Sequence, residues 1–331
     1  MNPRIRRIIG SFTAVVMCAL AARAAEPPDV LRSRQFRLSY SVTITGLKSA
    51  EPAKLWMPVP PNNDEQEVHV AAQKLPGPSQ QGREKKYAND ILFVEAAADS
   101  AGQINARTDY EVTRQEARAS TPVMMMIDDP LVALFLKPDA RVPIDGKPLT
   151  LLAGKSLPMD QLRLGRTLYD LVNSHMRYSK EGTGWGRGDS VWACESKYGN
   201  CSDFHSLFIS LARSQGVPAK FEIGFPLPND RGRGEIAGYH CWAWFKPLGH
   251  GWVPVDISEA NKHPDLREYY FGNLTENRVA FSVGRDLILE PPQSGPPLNF
   301  FVMPYVEVAG RPHPAEKVQL KLQYEDLNAR P

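Results

Sequence analysis

The chain has 331 residues, 42% of them hydrophobic and 23% charged, with a formal net charge of +2. This is globular composition, with enough chain for one large domain or two smaller ones. A charge so near zero excludes the strongly basic surface that nucleic acid or an anionic membrane demands, and 29 prolines with 24 glycines announce many turns.

The first segment does not read as part of the fold. Arg4, Arg6 and Arg7 make a basic start, Ile8 to Ala22 is mostly apolar but short for a bilayer span, and Ala22-Arg23-Ala24 has the small-x-small form of a cleavage site. Residues 1–24 therefore read as a secretory signal peptide cut after Ala24. Met17 stands where a lipoprotein needs a small residue before Cys18, so lipidation is rejected. Removing the segment takes four arginines and no acid, leaving 35 basic and 37 acidic residues, a net charge of about −2. The expectation is an exported protein, periplasmic or extracellular, with no integral membrane segment after cleavage and no nucleic-acid partner.

Residues 33 to about 120 read as strands. Phe36, Leu38, Tyr40, Val42 and Ile44 alternate with polar residues at period two. Lys54–Val59, Val68–Ala72, Ile91–Ala96 and Thr108–Thr113 are further strands, separated by the turn stretches PVPPNND, LPGPSQQG and ADSAGQ. An antiparallel β-sandwich over residues 30–145 fits this pattern. A Pro-rich transition follows, with a short apolar piece at Leu131–Leu136.

The second domain, residues 146–331, opens with a helix between Pro158 and Tyr178, whose Leu162, Leu168, Leu171, Val172 and Met176 form one stripe. The loop EGTGWGRGDS lacks the Gly-Lys-Ser/Thr end of a phosphate loop. It reads as a glycine-rich loop beside a substrate cleft, in preference to an Arg187-Gly188-Asp189 adhesion tripeptide. A second helix runs from Cys201 to Gln215, with Asn200 as N-cap and Gly216 as its stop. Strands follow at Ala219–Phe225, Tyr239–Phe245 and Gly251–Ile257, the last two joined by the turn PLGHG. Asn299–Val308 and Lys317–Tyr324 add strands at the end, across the linker PPQSGPP.

Three cysteines remain after the signal: Cys194, Cys201 and Cys241. An odd number in an oxidising compartment leaves at least one thiol otherwise engaged. Cys201 follows a helix N-cap, where unpaired N–H groups and the helix dipole stabilise a thiolate. A thiol nucleophile needs a base and a group that orients it. His240 and Asp256 come to the same end of the predicted hairpin, so Asp256 can hold one imidazole nitrogen while the other faces Cys201. His205, four residues after Cys201, is a rival base without an evident orienting carboxylate. Cys194 and Cys241 form a candidate disulfide that accounts for the odd count. Zinc is a weaker alternative for Cys194, Cys201, His205, His240 and Cys241, since no C-x₂-C spacing appears. Trp242, Trp244 and Trp252 read as core in preference to a ligand platform.

The stretches GNCSDFHSLFISLARSQGVPAKFEIGF, YHCWAWF and GWVPVD resemble the transglutaminase-like superfamily of papain-like cysteine enzymes. In that family a cysteine opens a helix, Arg-x-x-Gly-(Ile/Val)-Pro-Ala-(Arg/Lys) joins it to a strand, and His and Asp follow on adjacent strands. Arg213–Lys220 is that connector here, and the likeness covers about residues 160–258. The resemblance implies an α+β fold, a β-sandwich followed by helices packed on an antiparallel sheet, with Cys201, His240 and Asp256 as catalytic triad. It implies acyl transfer on peptide or amide bonds through a thioester, hydrolytic or cross-linking, on a protein, peptide or cell-wall peptide substrate. No cofactor is required, and no EF-hand-like acidic loop is present. Papain-like enzymes place a Gln shortly before the cysteine as oxyanion donor; WACESKYGN has none. Transglutaminases use an upstream Trp indole, for which Trp185 and Trp192 are the candidates. Without that donor, a catalytically inactive module that binds peptide or cell-wall polymer is the alternative.

Overall fold

The computed structural model describes residues 30–119 and 130–327, so the signal peptide read at residues 1–24 lies outside the described residues. Strand β1 (Ser33–Ile44) turns Phe36, Leu38, Tyr40, Val42 and Ile44 inward, because successive side chains of a strand point to opposite faces. Strands β2 (Pro52–Pro58), β3 (Gln66–Lys74), β4 (Ser79–Arg83), β5 (Asp90–Ala97) and β6 (Ile104–Gln115) follow. The stretch read as the turn LPGPSQQG thus contains a strand. β4 pairs only with β5 and is mostly exposed, so no buried face imposes an alternation on SQQGR. The apolar piece at Leu131–Leu136 overlaps a five-residue helix, Pro130–Leu134.

The later part contains α1 (Gln161–His175), α2 (Ser190–Ser196), α3 (Cys201–Ser214), β7 (Ala219–Pro226), β8 (Arg233–Glu235), β9 (His240–Phe245), β10 (Val253–Val255), α4 (Ile257–Lys262), β11 (Arg278–Val283), β12 (Tyr305–Val308), β13 (Arg311–Pro312) and β14 (Val318–Asp326). Two five-stranded sheets, ordered β8-β14-β1-β6-β3 and β13-β12-β2-β5-β4, form the sandwich. Leu55, Met57 and Val94 of one inner face share a core with Leu38, Tyr40 and Val112 of the other. The C-terminal strands, grouped by sequence with residues 146–331, hydrogen-bond instead to the sandwich: β14 to β1 and β12 to β2. Backbone ladders reward whichever edge is free, however distant in sequence. The described residues from Arg32 onward form one unit by their contacts.

A four-stranded antiparallel sheet, β10-β9-β7-β11, carries the helices. Helix α3 is buried from Cys201 to Arg213 and packs on β9 and β7. Helix α1 approaches the sheet at Gly165, where a Cβ would lie 2.2 Å from the Phe245 ring. Arg213 explains the connector after α3. Its buried guanidinium donates to Ala219 O at 2.9 Å and to Asp139 Oδ2 at 2.7 Å, while Gly216 takes φ 72° to reverse the chain. No helix among the described residues is long and apolar enough to cross a membrane.

Candidate active site

Cys201 is the first residue of α3. Asn200 caps the helix: its Oδ1 accepts from Ser202 N at 2.9 Å, and Asp203 Oδ2 accepts from Asn200 N at 2.9 Å. This reciprocal pair satisfies donors that the first turn leaves open. Asp203 also anchors the glycine-rich loop, accepting from Gly186 N at 2.7 Å and Gly188 N at 3.0 Å. Both glycines have positive φ, 82° and 58°, which aims successive N–H groups at one carboxylate without a Cβ penalty. Burial pushes the Asp203 pKa up to about 6 despite those three N–H bonds. Asp189, the acid of the adhesion tripeptide, caps α2 by accepting from Val191 N and Trp192 N.

His240 stands at the start of β9 and Asp256 just beyond β10. The register Ala243↔Val255, Trp244↔Pro254, Phe245↔Val253 brings His240 Nε2 to 2.7 Å from Asp256 Oδ2. Asp256 is also the N-cap of α4: its Oδ1 accepts from Ser258 Oγ and Glu259 N, each at 3.1 Å. Cys201 is 3% and His240 6% exposed, and Asp256 is fully buried.

The charges follow from these contacts. The Cys201 thiol is held well below its ordinary value, first by the hydrogen bond from Cys241 and then, against burial, by the hydrogen bond and charge of His240. Burial alone would lower the His240 pKa, but the charge and hydrogen bond of Asp256 outweigh it and push it up to about 10. Burial likewise opposes ionisation of Asp256, yet His240, with Arg278 and His205, holds the carboxyl far below the usual carboxylate range. The directions of these shifts all favour the charged form of each group: thiolate, imidazolium and carboxylate.

His205, the rival base, is fully buried and otherwise occupied. Its Nε2 accepts from Ile257 N at 3.0 Å, and its Nδ1 lies 3.6 Å from Cys241 Sγ. Burial brings its pKa down to about 4. A ring held neutral in the fold contributes stability above the ordinary pKa near 6.5, and that contribution is lost as pH falls towards 4. His205→Gln retains an acceptor for Ile257 N without a titrating ring. Its stability is expected to fall less than that of the wild type between pH 6.5 and 4, measured by urea denaturation across that range. Equal slopes would show that the ring is not the titrating group.

One expectation from sequence is corrected. Cys194, Cys201 and Cys241 are all free, so Cys194 and Cys241 form no disulfide. Cys241 points at α3, towards Ser202 and His205, while Cys194 Sγ lies 3.7 Å from Lys147 O. Trp185, a candidate oxyanion donor, directs its indole N–H to Gly182 O at 3.2 Å. Trp192 packs edge-on against Tyr198 and lies against Gly184. Trp242 and Trp244 are buried, with both indoles donating to Glu222. Trp252 is half-buried, with the Lys220 ammonium 4.7 Å from its ring centroid.

Sequence reasoning missed Arg278, which opens β11 and donates to Asp256 Oδ2 at 3.1 Å. The run RVAFSV between Asn277 and Gly284 carries a strand signal, but nothing local marks its arginine as a partner of Asp256. Tyr239 was also missed: its hydroxyl accepts from Asn200 Nδ2 at 3.3 Å, and burial, with the Cys201 charge, pushes its pKa up to about 12. Ligand atoms of His240, Asp256 and Glu259 lie within 4.8 Å of one another. His240 Nε2 and Asp256 Oδ2 share a hydrogen bond, and Arg278 donates to the same oxygen, so these two ligand atoms are already engaged with each other and with a guanidinium.

Residues 153–257 match the transglutaminase-like superfamily. An uncharacterized protein of Haemophilus influenzae is 33% identical over 144 residues, covering 34% of this chain. The chain spans 39% of the length of that curated relative. A solved structure of a proposed cysteine protease from Cytophaga hutchinsonii has a similar fold, with a TM-score of 0.56 at 14% identity, covering 90% of this chain and 92% of the other.

Proposed function

We propose, on the premise that residues 153–257 are a transglutaminase-like core, that this chain is an exported cysteine-dependent enzyme transferring acyl groups from peptide or amide bonds. The observation that carries the reading is the His240 imidazole, held by Asp256 at 2.7 Å, beside a cysteine that opens a capped helix and whose pKa is lowered in that setting. The Cys201 thiolate attacks the amide carbonyl, and the backbone N–H at the head of α3 faces the developing oxyanion. His240 gives its proton to the departing amine as the C–N bond breaks, leaving an acyl thioester on Cys201. Water, deprotonated by the now neutral His240, hydrolyses the thioester; a primary amine in its place gives a cross-link. Asp256 keeps the imidazole oriented throughout. Export rests on the basic, apolar, small-x-small start of the chain, and peptide or cell-wall peptide is the substrate class.

A second reading has one observation in its favour. Trp185 spends its indole N–H on Gly182 O, which leaves the second oxyanion donor unsupplied from that side and suits a peptide-binding module without turnover. The rate of iodoacetamide alkylation of Cys201 against pH, followed by mass spectrometry, separates the two. An activated thiolate is expected to react at rates that persist well below the free-thiol pKa of about 8.5. A profile with an ordinary midpoint would replace the enzyme by the binding module. A labelled primary amine included with peptide substrates then distinguishes cross-linking from hydrolysis.

A further inference from the structure

Asp256 accepts four hydrogen bonds. Oδ1 takes Ser258 Oγ and Glu259 N, and Oδ2 takes His240 Nε2 at 2.7 Å and Arg278 Nη1 at 3.1 Å. Arg278 is 3% exposed, and its guanidinium lies 4.8 Å from the Trp242 ring centroid. Its Nε has no hydrogen-bond partner among the described residues. A buried guanidinium is costly unless an anion faces it. Glu222, on the neighbouring strand β7, spends Oε2 on the two indoles. Arg278's ion pair among the described residues is with Asp256.

We propose that Arg278 is a positioning residue for acyl transfer: its guanidinium fixes the Asp256 carboxylate on His240 and sets the pH range over which Cys201 is an active thiolate. The proposal rests on the reading of Cys201 as nucleophile. Guanidinium stays protonated at every working pH, so Arg278 supplies a permanent positive charge behind a relay whose other cation titrates. Positive charge beside coupled groups favours the deprotonated form of each. Arg278 therefore brings both the thiolate limb and the imidazolium limb to lower pH.

Other charged groups also face this cluster. His205 of α3 lies 3.7 Å from Asp256 Oδ1, and Glu259 of α4 lies 3.7 Å from His240 Nε2. Cys241 and Tyr178 also act on Cys201 or feel its charge. Arg114 of β6 faces Arg278 as a like charge, and Tyr269 and Tyr270 feel its field. Of these cations, Arg278 is the one whose charge both persists through the titration and is hydrogen-bonded to Asp256.

The test is the pH profile of Cys201 alkylation by iodoacetamide, from pH 4 to 10, in wild type, Arg278→Met and Arg278→Lys. The Met substitution is expected to move the acidic limb up by about one pH unit, making alkylation about tenfold slower on that limb. The Lys substitution is expected to restore at least half of the shift. A purely structural arginine would lower stability without moving the midpoint, so a folded Arg278→Met protein with the wild-type midpoint overturns the proposal. If Arg278→Met does not fold, Arg278→Gln is compared with Arg278→Lys, and equal midpoints overturn it. An ordinary thiol profile in the wild type is a different result: it overturns the nucleophile reading itself, and this proposal with it.

Discussion

Replacing His240 with alanine is expected to slow alkylation of Cys201 at pH 6 by about 10- to 300-fold. A thiol returned to a pKa of about 8.5 is roughly 0.3% thiolate at pH 6, which sets the upper figure. A more basic thiolate is intrinsically more nucleophilic, and this recovers about half of the loss on a logarithmic scale. The helix terminus and the Cys241 thiol remain in the variant, which also favours the lower end. Mass spectrometry resolves Cys201 from Cys194 and Cys241, so the measurement reports one site. An unchanged rate would mean that His240 does not share its proton with Cys201.

Asp256→Asn is expected to cost the site heavily in stability and to lower turnover as well. The carboxylate is fully buried and accepts from Ser258, Glu259, His240 and Arg278. An amide turns one acceptor into a donor facing other donors and leaves the Arg278 charge unpaired. Breaking a buried ion pair in this way costs about 3–5 kcal/mol. The pH dependence gives the sign. Asp256 is ionised more readily in the fold than in the unfolded chain, so its contribution is present above the ordinary pKa near 4 and is lost as pH falls below it. The stability gap between wild type and variant should therefore be widest near neutral pH and shrink below about 4. The His240 side of the same pair behaves oppositely: its contribution is present below about 6.5 and fades as pH rises through about 10. Urea denaturation across this range measures both limbs, and a constant gap would remove Asp256 from the account. On an acyl substrate, loss of the orienting carboxylate is expected to lower kcat by on the order of 10⁴-fold, the size of effect the Ser-His-Asp template shows.

Much of this site was legible because its signals are local. The Asn200 cap, the cysteine after it and the stop at Gly216 mark α3 within one window. The polar-apolar alternation of Phe36 to Ile44 marks β1 because one face of that strand is buried. PLGHG brings His240 and Asp256 together because a short turn sets the register of its hairpin. Strand β4 was missed for the converse reason, being a polar edge strand with no inward face to leave a pattern. Helix α2 was missed because its seven residues carry too little periodicity. His205 could be named as a possible base but not dismissed, since its engagement by Ile257 N and Cys241 joins three distant segments.

The sequence by itself determined the strongly patterned elements, the residue types needed for thiol chemistry and the hairpin that brings a histidine to an aspartate. The tertiary structure decided the partners that set their charges. Arg278 reaches Asp256 from a strand 22 residues away. Cys241 turns to Ser202 and His205 and not to Cys194, and the last strand closes on the first. The physical reason is range. Propensity, capping and turn chemistry act over a few residues and leave a trace in the sequence. Buried ion pairs, thiol contacts and sheet edges are satisfied by whichever group the fold brings within about 3–4 Å.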